Sequence, residues 1–275
     1  MKLTLLGTGC PSVDHKRFGP SNLVSTKKTK ILIDCGSGIT QRLHELNVSS
    51  SDIDALLFTH LHSDHAVDLY QLIISSWHSY RVKPWKIYGP KGTKKFVKKI
   101  MDAWADERKL RISYEARASA KAFDIQVIEF DSLGNLKIKD IKIKYFEVDH
   151  KPVKFAYGFC FINNNRKLTI SGDTKPCENL MKYAQKSDVL LHEVFIEGEI
   201  LEINKMRTRK TLHNVQSYHT ASSDVGKVAF ISRAKKLVLT HFVPTRFNKN
   251  NLKKIVKKDF GKDPIIGEDL MTIKI

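Results

Sequence analysis

The pattern of hydrophobic and polar positions predicts a chain in which strands alternate with helices. Apolar runs predict strands at residues 2–6, 23–24, 30–34, 55–59, 86–88, 155–163, 167–170, 189–191, 236–240 and 271–273. From Phe123 to Tyr145, apolar and charged residues alternate, most clearly between Ile138 and Tyr145, which predicts a half-exposed strand. Helical patterns cover residues 39–46, 66–77, 92–110, 223–232 and 249–258. The mixture indicates an α/β protein.

Two of the helices carry apolar residues on positions that predict burial. The helix at 66–77 is apolar on nearly every side and is expected to lie between a sheet and the rest of the protein. The helix at 92–110 is expected to bury one face, made of Phe96, Val97, Ile100, Met101 and Trp104. With 275 residues, 41% of them hydrophobic, and no linker or repeat, the chain is expected to form a single domain over residues 1–275.

Four metal-capable side chains follow the apolar run at 55–58 within six residues: His60, His62, Asp64 and His65. Imidazole is the commonest metal ligand in proteins, and a polar surface loop has no structural need for so dense a cluster. A strand that ends in a tight loop lets His60 and His62 reach one ion while Asp64 and His65 reach a second. The sequence therefore predicts a metal site here.

Further ligand-type residues stand at the ends of other predicted strands: His150, Asp173, His192 with Glu193, and His241. In α/β proteins, ligands gather where the carboxyl ends of strands meet their loops, so these side chains are expected to share one edge. Asp34 ends another strand, where it either caps a turn or orients a ligand imidazole from behind. The Gly7-Thr8-Gly9 stretch is expected to be a turn at a strand end.

The order His60-x-His62-x-Asp64-His65, His150, Asp173, His241 resembles the metallo-β-lactamase superfamily over nearly the whole chain. The resemblance implies a four-layer αββα sandwich with two metal ions, usually zinc, at one edge of the sheets. By position, His60, His62 and His150 would hold the first ion. The second would be held by Asp64, His65 and His241, with Asp173 bridging both. Asp34 matches the superfamily's early aspartate, which lies behind the ligands.

A second set of motifs is similar to the ribonuclease Z and arylsulfatase-like branch: residues 7–9, 171–174, 192–193 and 219–221. In that branch a glutamate and a histidine protonate the leaving oxygen, which by position would be Glu193 and His219. With Asp64, these are the expected catalytic residues. Two dications about 3.5–4 Å apart lower the pKa of a water and clamp the oxygens of an in-line displacement. Two aspartates and one hydroxide leave a net positive site, which suits an anionic ester.

Two departures set the chain apart from typical bacterial ribonuclease Z. That enzyme usually carries a long tRNA-gripping arm between the third-motif histidine and the bridging aspartate, but only 23 positions separate His150 from Asp173. Asp68 also stands where ribonuclease Z typically has glycine. The expected function is therefore a phosphodiesterase for a small or nucleotide-like phosphodiester. A tRNA 3′-processing endonuclease, an arylsulfatase-like, thioester or lactone hydrolase, and a metal-bearing nucleic-acid-binding module remain as alternatives.

The net charge of +18 comes from 36 Lys and 11 Arg that are spread along the chain, and it has two interpretations. The basic residues either form a solvated lysine-rich surface or attract an anionic substrate, such as a small ester or RNA. Zinc is the expected metal, although manganese or iron also suits these ligands. The substrate pocket is expected to involve the loop at 14–21 and the region at 197–219.

Composition also bears on location and partners. The four cysteines are isolated, which predicts free thiols in a reducing compartment: Cys10, Cys35, Cys160 and Cys177. No signal-peptide core or membrane-length apolar run is found, so a cytoplasmic protein without a membrane partner is expected. The family resemblance further implies a homodimer.

Overall fold

Two sheets of seven strands each form the centre of the fold. The structure is a computed structural model that describes residues 1–199 and 208–275. The strands are β1 (Lys2–Gly7), β2 (Ser21–Ser25), β3 (Lys30–Ile33), β4 (Ala55–Leu57), β5 (Trp85–Gly89), β6 (Ile125–Glu129), β7 (Leu133–Ile138), β8 (Ile141–Glu147), β9 (Tyr157–Asn163), β10 (Arg166–Ile170), β11 (Val189–Phe195), β12 (Leu237–Val243), β13 (Ile265–Ile266) and β14 (Thr272–Lys274). The helices are α1 (Ile39–Glu45), α2 (Leu69–His78), α3 (Thr93–Ala103), α4 (Ala105–Glu115), α5 (Glu178–Tyr183), α6 (Arg209–Gln216), α7 (Ser222–Ile231) and α8 (Lys249–Phe260). Short 3-10 turns lie at Ser50–Asp52, Ser63–His65 and Lys121–Phe123.

Each sheet joins an antiparallel half to a parallel half. The first has the order β14-β1-β2-β3-β4-β5-β6, with parallel pairing from β3 to β6. The second has the order β13-β12-β11-β10-β9-β8-β7, with parallel pairing from β10 to β13. The parallel strands of each sheet therefore present their carboxyl ends at one edge, where their loops can build a common site.

Three apolar cores separate four layers. The central core lies between the sheets and includes Leu5 and Leu57 from the first sheet and Phe159 and Leu191 from the second. One outer core packs α1, α2 and α3 on the first sheet. The other packs α5, α7 and α8 on the second sheet. The predicted four-layer αββα sandwich is thereby confirmed.

The predicted helix at 92–110 is wrong in its continuity and in one of its core residues. The chain breaks at Trp104, which ends α3 and precedes α4, and its side chain is 50% exposed. The ring stacks on Tyr70, with centroids 5.2 Å apart, and does not enter the core. Val97 and Met101 are buried as expected. Trp104 continues the helical spacing of apolar residues, but it is not buried because α3 ends at Ala103.

The half-exposed strand predicted from Phe123 to Tyr145 is three strands: β6 in the first sheet, and β7 and β8, which form a hairpin in the second. Strand β7 ends at Ile138, and β8 begins at Ile141 and pairs antiparallel with it. Lys139, in the turn, has a φ of 50°, a left-handed conformation that is uncommon for lysine. Asp140 is the one residue of this turn that is typical of turns. The alternating pattern continues through the turn, so periodicity alone did not reveal it.

Burial of the predicted helix at 66–77 is only partly observed. Helix α2 begins at Leu69 and buries Leu72, Ile73 and Trp77, but Val67 precedes the helix and is 63% exposed. Three short elements had no prediction: β13, α5 and α6, of which α6 falls in the polar region at 197–214. Residues 200–207 of that region lie outside the described residues.

The cysteines are free thiols, and Cys10, Cys35 and Cys160 are buried. Within the described residues, the structure contains no helix of the length and apolarity that a membrane crossing requires.

Candidate metal centre

The buried strand β4 sets the first part of the site in place. Its three residues are completely buried, and the chain continues through Phe58 and Thr59 to His60, which is also completely buried. A 3-10 turn at Ser63–His65 then reverses the chain, so that Asp64 and His65 face the same space as His60. The rings of His60 and His65 have centroids 4.2 Å apart. The apolar strand thus fixes where the motif begins, and the turn brings its later residues back to it.

Asp34 supports this motif from behind, at the end of β3. Its Oδ1 accepts a hydrogen bond from the Thr59 N–H at 2.8 Å, and its Oδ2 accepts from the Thr59 hydroxyl at 2.8 Å. The same Oδ2 lies 2.9 Å from His65 Nδ1. Asp34 is 3% exposed and has a φ of 60°, which turns its carboxylate toward the loop of the neighbouring strand. This arrangement leaves His65 Nε2 directed toward the centre of the site.

Asp173 stands at that centre. Its Oδ2 is 3.3 Å from His65 Nε2 and 3.2 Å from His241 Nε2. The same atom is 3.9 Å from His60 Nε2 and 4.0 Å from His150 Nε2. The residue before it, Gly172, has a φ of 63°, and a Cβ there would lie 2.6 Å from the carbonyl oxygen of Tyr157. Glycine is required at this position because the chain turns sharply against a neighbouring backbone.

Two ligand clusters share this centre. The donor atoms within each lie within 4.8 Å of one another, and the clusters consist of His60, His62, His150 and Asp173, and of Asp64, His65 and His241. These are the seven residues that the sequence predicted as ligands, and the structure brings all of them together. His192 does not join them; it is completely buried, and its Nδ1 lies 2.8 Å from the Glu193 carbonyl oxygen. His213, on α6, is exposed.

The donor set fits a metal ion. Three ring nitrogens that face the centre are buried and have no hydrogen-bond partner among the described residues: His60 Nε2, His65 Nε2 and His241 Nε2. A buried polar atom without a partner is costly, and three of them converging on two carboxylates are explained by a cation between them. The centre can therefore bind metal, because imidazole nitrogens and carboxylate oxygens are the ligands zinc takes.

His150 and His241 reach the centre by different routes. His150 follows β8, and its Nδ1–H donates a hydrogen bond to the main-chain carbonyl oxygen of Tyr218 at 2.8 Å. His241 lies inside β12 at a register shift in the pairing with β11, and has a φ of 46°. A bulge of this kind redirects one side chain out of the strand's alternation. The predicted strand end at Thr240 is therefore wrong, although His241 does reach the site.

Glu193 and His219 form a buried pair beside the two clusters. Glu193 Oε1 lies 3.0 Å from His219 Nδ1 and accepts hydrogen bonds from the N–H groups of Thr174 and Thr220 at 3.0 and 3.2 Å. His219 is 7% exposed and Glu193 1% exposed. A donor atom of His219 also lies within 4.8 Å of donor atoms of Asp173 and His241. The imidazole is thus held by the glutamate on one side and faces the centre on the other.

The carboxylates and imidazoles shift one another's pKa values. Burial alone would raise the pKa of Asp173, but the nearby imidazoles of His241 and His65 hold it well below its usual range. Burial lowers the pKa of His60 well below the usual value and also lowers that of His150. At His219, burial opposes the charged form, yet the Glu193 carboxylate raises the pKa to about 9. Neutral His60 and His150 suit metal binding, whereas His219 is arranged to carry a proton.

Sequence reasoning missed the groups that orient the site through the main chain. The Tyr218 carbonyl and the N–H groups of Thr174 and Thr220 hold His150 and Glu193 in place. Every residue has such groups, so no side-chain pattern could identify them. Thr59 was detectable, because it is a hydroxyl residue adjacent to the first histidine of the motif and contacts both Asp34 and His60.

Comparison with solved structures agrees with the class that the fold and site define. The metallo-β-lactamase fold protein YhfI from Bacillus subtilis matches 99% of this chain and 98% of its own, with a TM-score of 0.74 and 19% identity. The short form of human tRNase Z matches 100% and 99%, with a TM-score of 0.73 and 23% identity. Both likenesses are below 25% sequence identity and show the fold, which is the metallo-β-lactamase fold of two sheets flanked by helices.

Sequence comparison narrows this class. A protein from Mycolicibacterium gilvum named Ribonuclease Z is 31% identical over 280 residues, which cover 100% of this chain and 96% of that protein. One from Mycobacterium bovis is 29% identical with 100% and 98% coverage. The model of the family described as "Anti-Pycsar protein Apyc1" matches residues 1–205. The chain belongs to this family and to the ribonuclease Z-like branch of the metallo-β-lactamase superfamily, and it is a metal-dependent hydrolase.

Proposed function

We propose that the protein hydrolyses a small or nucleotide-like phosphodiester with the help of two divalent metal ions. The observation that carries the proposal is the Glu193–His219 pair, which places a proton-bearing imidazole beside both ligand clusters. A phosphodiester has a poor leaving group, an alkoxide, so its hydrolysis gains from a proton donor at this point. A site that only bound metal would have no use for this pair.

The two clusters divide the ligands between the ions. His60, His62 and His150 would hold one ion, and Asp64, His65 and His241 the other, with Asp173 contributing to both. When bound, the ions would lower the pKa of the attacking water and neutralise charge on the phosphoryl oxygens. Zinc suits these ligands best, while manganese and iron also accept imidazole and carboxylate.

The protein's own groups would supply the proton and the orientation. Glu193, fixed by two main-chain N–H groups, keeps Nδ1 of His219 as the hydrogen-bonded nitrogen and leaves Nε2 to face the substrate. Protonated His219 would then give its Nε2 proton to the departing oxygen. Asp64 would help to hold one of the ions, and Asp34 would keep His65 in the tautomer that presents Nε2.

A second candidate is a tRNA 3′-processing endonuclease. The relatives named Ribonuclease Z match this chain along almost their whole length, so the short interval between His150 and Asp173 does not separate this chain from them. The net charge of +18 is also favourable for binding RNA. An arylsulfatase-like, thioester or lactone hydrolase would use the same centre on a different ester.

One panel of substrates tests the proposal. The zinc-loaded protein is assayed with bis-p-nitrophenyl phosphate, 3′,5′-cyclic mononucleotides, a 3′-extended tRNA, p-nitrophenyl sulfate and a thioester. We expect the phosphodiesters of nucleotide size to have the highest kcat/KM. Cutting of the tRNA beside its discriminator base, without turnover of the small phosphodiesters, would replace the first candidate with the second. Turnover of the sulfate or thioester alone would contradict both.

The homodimer implied by the family resemblance stays a prediction. The mass of the protein in solution, measured by light scattering, decides it.

A further inference from the structure

The ring of His241 differs from the other buried histidine rings of the two ligand clusters. Its Nδ1 is buried and has no hydrogen-bond partner in the part of the chain that the structure describes. The other three rings place Nδ1 against a hydroxyl, a carboxylate or a main-chain carbonyl oxygen: His60, His65 and His150. A ligand imidazole is normally oriented through its second nitrogen. The direction of the His241 ring therefore depends on its own backbone.

That backbone has an unusual conformation. His241 has a φ of 46°, in the left-handed region that residues other than glycine seldom adopt. Its two neighbours in β12 pair with consecutive residues of β11, so His241 is the extra residue of a bulge. A residue stays in such a conformation only where the surrounding structure holds it there. The contacts of the adjacent residues therefore decide where the His241 ring points.

Phe242, the next residue, is bonded to the other sheet. Its N–H donates to the Thr8 carbonyl oxygen at 3.1 Å, and Thr8 follows β1 in the first sheet. The Arg17 guanidinium lies over the Phe242 ring, 4.2 Å from its centroid, and donates to the Thr8 hydroxyl at 2.6 Å. Thr8 and Arg17 are both buried. Phe242 is therefore held through its main chain and through its ring, and both contacts involve Thr8.

Asp269 fixes Thr8 in turn. Its Oδ1 accepts hydrogen bonds from the Thr8 N–H at 3.0 Å and from the Thr8 hydroxyl at 2.7 Å. Its Oδ2 accepts from the Phe18 N–H at 2.8 Å and lies 3.4 Å from Arg42 Nη2. The Asp269 side chain is 5% exposed. Because hydrogen bonds to a charged acceptor are the stronger ones, this carboxylate holds the main chain of Thr8 firmly.

We propose that Asp269 is a positioning residue for the metal centre. Acting through Thr8 and Phe242, it sets the direction of the His241 ring. Asp269 contacts no metal ligand among the described residues. The inference rests on the two-ion centre of the proposed function and assigns Asp269 to one of the ions. Loss of the carboxylate frees the Thr8 main chain, so His241 binds its ion less well, while the ion of the other cluster keeps its ligands.

Cobalt titration tests this assignment without turnover. Co²⁺ accepts the same nitrogen and oxygen ligands as zinc, and its visible absorption reports the coordination of each ion. His241→Ala shows which ion and which absorption band this ligand affects, and His62→Ala does the same for the other cluster. We expect Asp269→Ala to weaken the ion affected by His241→Ala about tenfold or more and to change the affinity of the other less than about threefold.

Thr8 variants and a matched carboxylate complete the experiment. Thr8→Val removes the hydroxyl and should weaken the same ion, whereas Thr8→Ser keeps the hydroxyl and should retain both wild-type affinities. Asp188 is another buried carboxylate, at the start of β11, that accepts from the Lys167 N–H and from Lys235 Nζ, both at 2.8 Å. Asp188→Ala should lower stability and leave both cobalt affinities unchanged, because it lies at the opposite end of β11 from the centre.

The contrast between the two ions decides the inference. Equal weakening of both ions in Asp269→Ala, or wild-type affinity for both in the folded variant, would overturn it. If Asp269→Ala does not fold, Thr8→Val is judged by the same criterion. Selective weakening in a protein whose wild type hydrolyses no phosphodiester would instead refute the proposed function and leave the role of Asp269 standing.

Discussion

Asp34 shows how one carboxylate can control the geometry of a metal centre without facing it. It contacts Thr59 through both oxygens and His65 through one, so its loss would free both the loop and the ring. Burial raises the pKa of this carboxyl, although its contacts with His65 and Thr59 oppose the rise. The residue lies in a left-handed conformation, which indicates that the surrounding structure holds it there.

Replacing Asp34 with asparagine should weaken metal binding about 10- to 100-fold, because the ligand imidazole loses its oriented partner. The measurement is competition for zinc with a chromophoric chelator. Asp52→Asn is the control, since Asp52 is half exposed and, among the described residues, its side chain pairs only with Lys30. Wild-type affinity in Asp34→Asn would show that His65 is oriented by something else.

The role of His219 can be separated from that of a metal ligand by varying the leaving group. In His219→Ala, hydrolysis of a methyl phosphodiester should slow about 10²- to 10⁴-fold, since the departing alkoxide needs a proton. A p-nitrophenolate leaving group is stable without one, so its release should slow much less. The measurement is kcat for both leaving groups, with bound zinc determined in parallel. Equal losses for both, accompanied by lost zinc, would identify His219 as a ligand.

At the scale of elements, Asp54 joins the two sheets at the end opposite the metal centre. Its carboxylate accepts from the Lys30 N–H on β3 at 3.0 Å and from Lys83 Nζ at 2.9 Å. Lys139 Nζ, in the β7–β8 turn of the second sheet, lies 2.8 Å away. Burial opposes ionisation, but these donors lower the pKa of Asp54 below its usual value of 3.8.

This shift predicts how stability depends on pH. A carboxyl whose pKa is lower in the folded state stabilises the protein above its unfolded pKa, and the contribution disappears as pH falls through the folded value. Asp54→Asn should therefore lower the free energy of unfolding by about 1–3 kcal/mol near pH 7. The difference from wild type should shrink below about pH 4. Urea unfolding at both pH values measures it; a difference that does not change with pH would contradict the ionic role.

The sequence correctly predicted the elements whose apolar residues follow one pattern, of a strand or of a helix, from end to end. Strands such as β4 and β11 are completely buried, and their apolar runs are unambiguous. The failures at Trp104 and Lys139 have one cause: a helix break and a left-handed turn interrupt the chain without interrupting its pattern. Side-chain ligands could be predicted because their chemistry requires particular residue types. The bulge that directs His241 depends on pairing between strands and has no signal in the sequence.

At the scale of the whole molecule, the charge of +18 distinguishes the two candidate substrates. If RNA binds through the lysine-rich surface, the logarithm of its affinity should fall linearly with the logarithm of salt concentration. The slope is about −0.7 for each single-stranded phosphate contacted and about −0.9 for each duplex one. The kcat/KM for bis-p-nitrophenyl phosphate should change little over the same range. RNA binding that is insensitive to salt would contradict an electrostatic role for this surface.

The central claim is that the histidine and aspartate centre hydrolyses phosphodiesters with bound metal. The most direct measurement is turnover of bis-p-nitrophenyl phosphate by wild-type protein, by chelator-treated protein restored with zinc or manganese, and by two variants. Asp173→Ala removes the residue at the centre, and Asp224→Ala removes an exposed carboxylate on α7 as a control. We predict that chelation abolishes turnover, that metal restores it, and that Asp173→Ala alone loses at least about a hundredfold. Turnover that survives chelation, or a wild-type rate in Asp173→Ala, would contradict the claim.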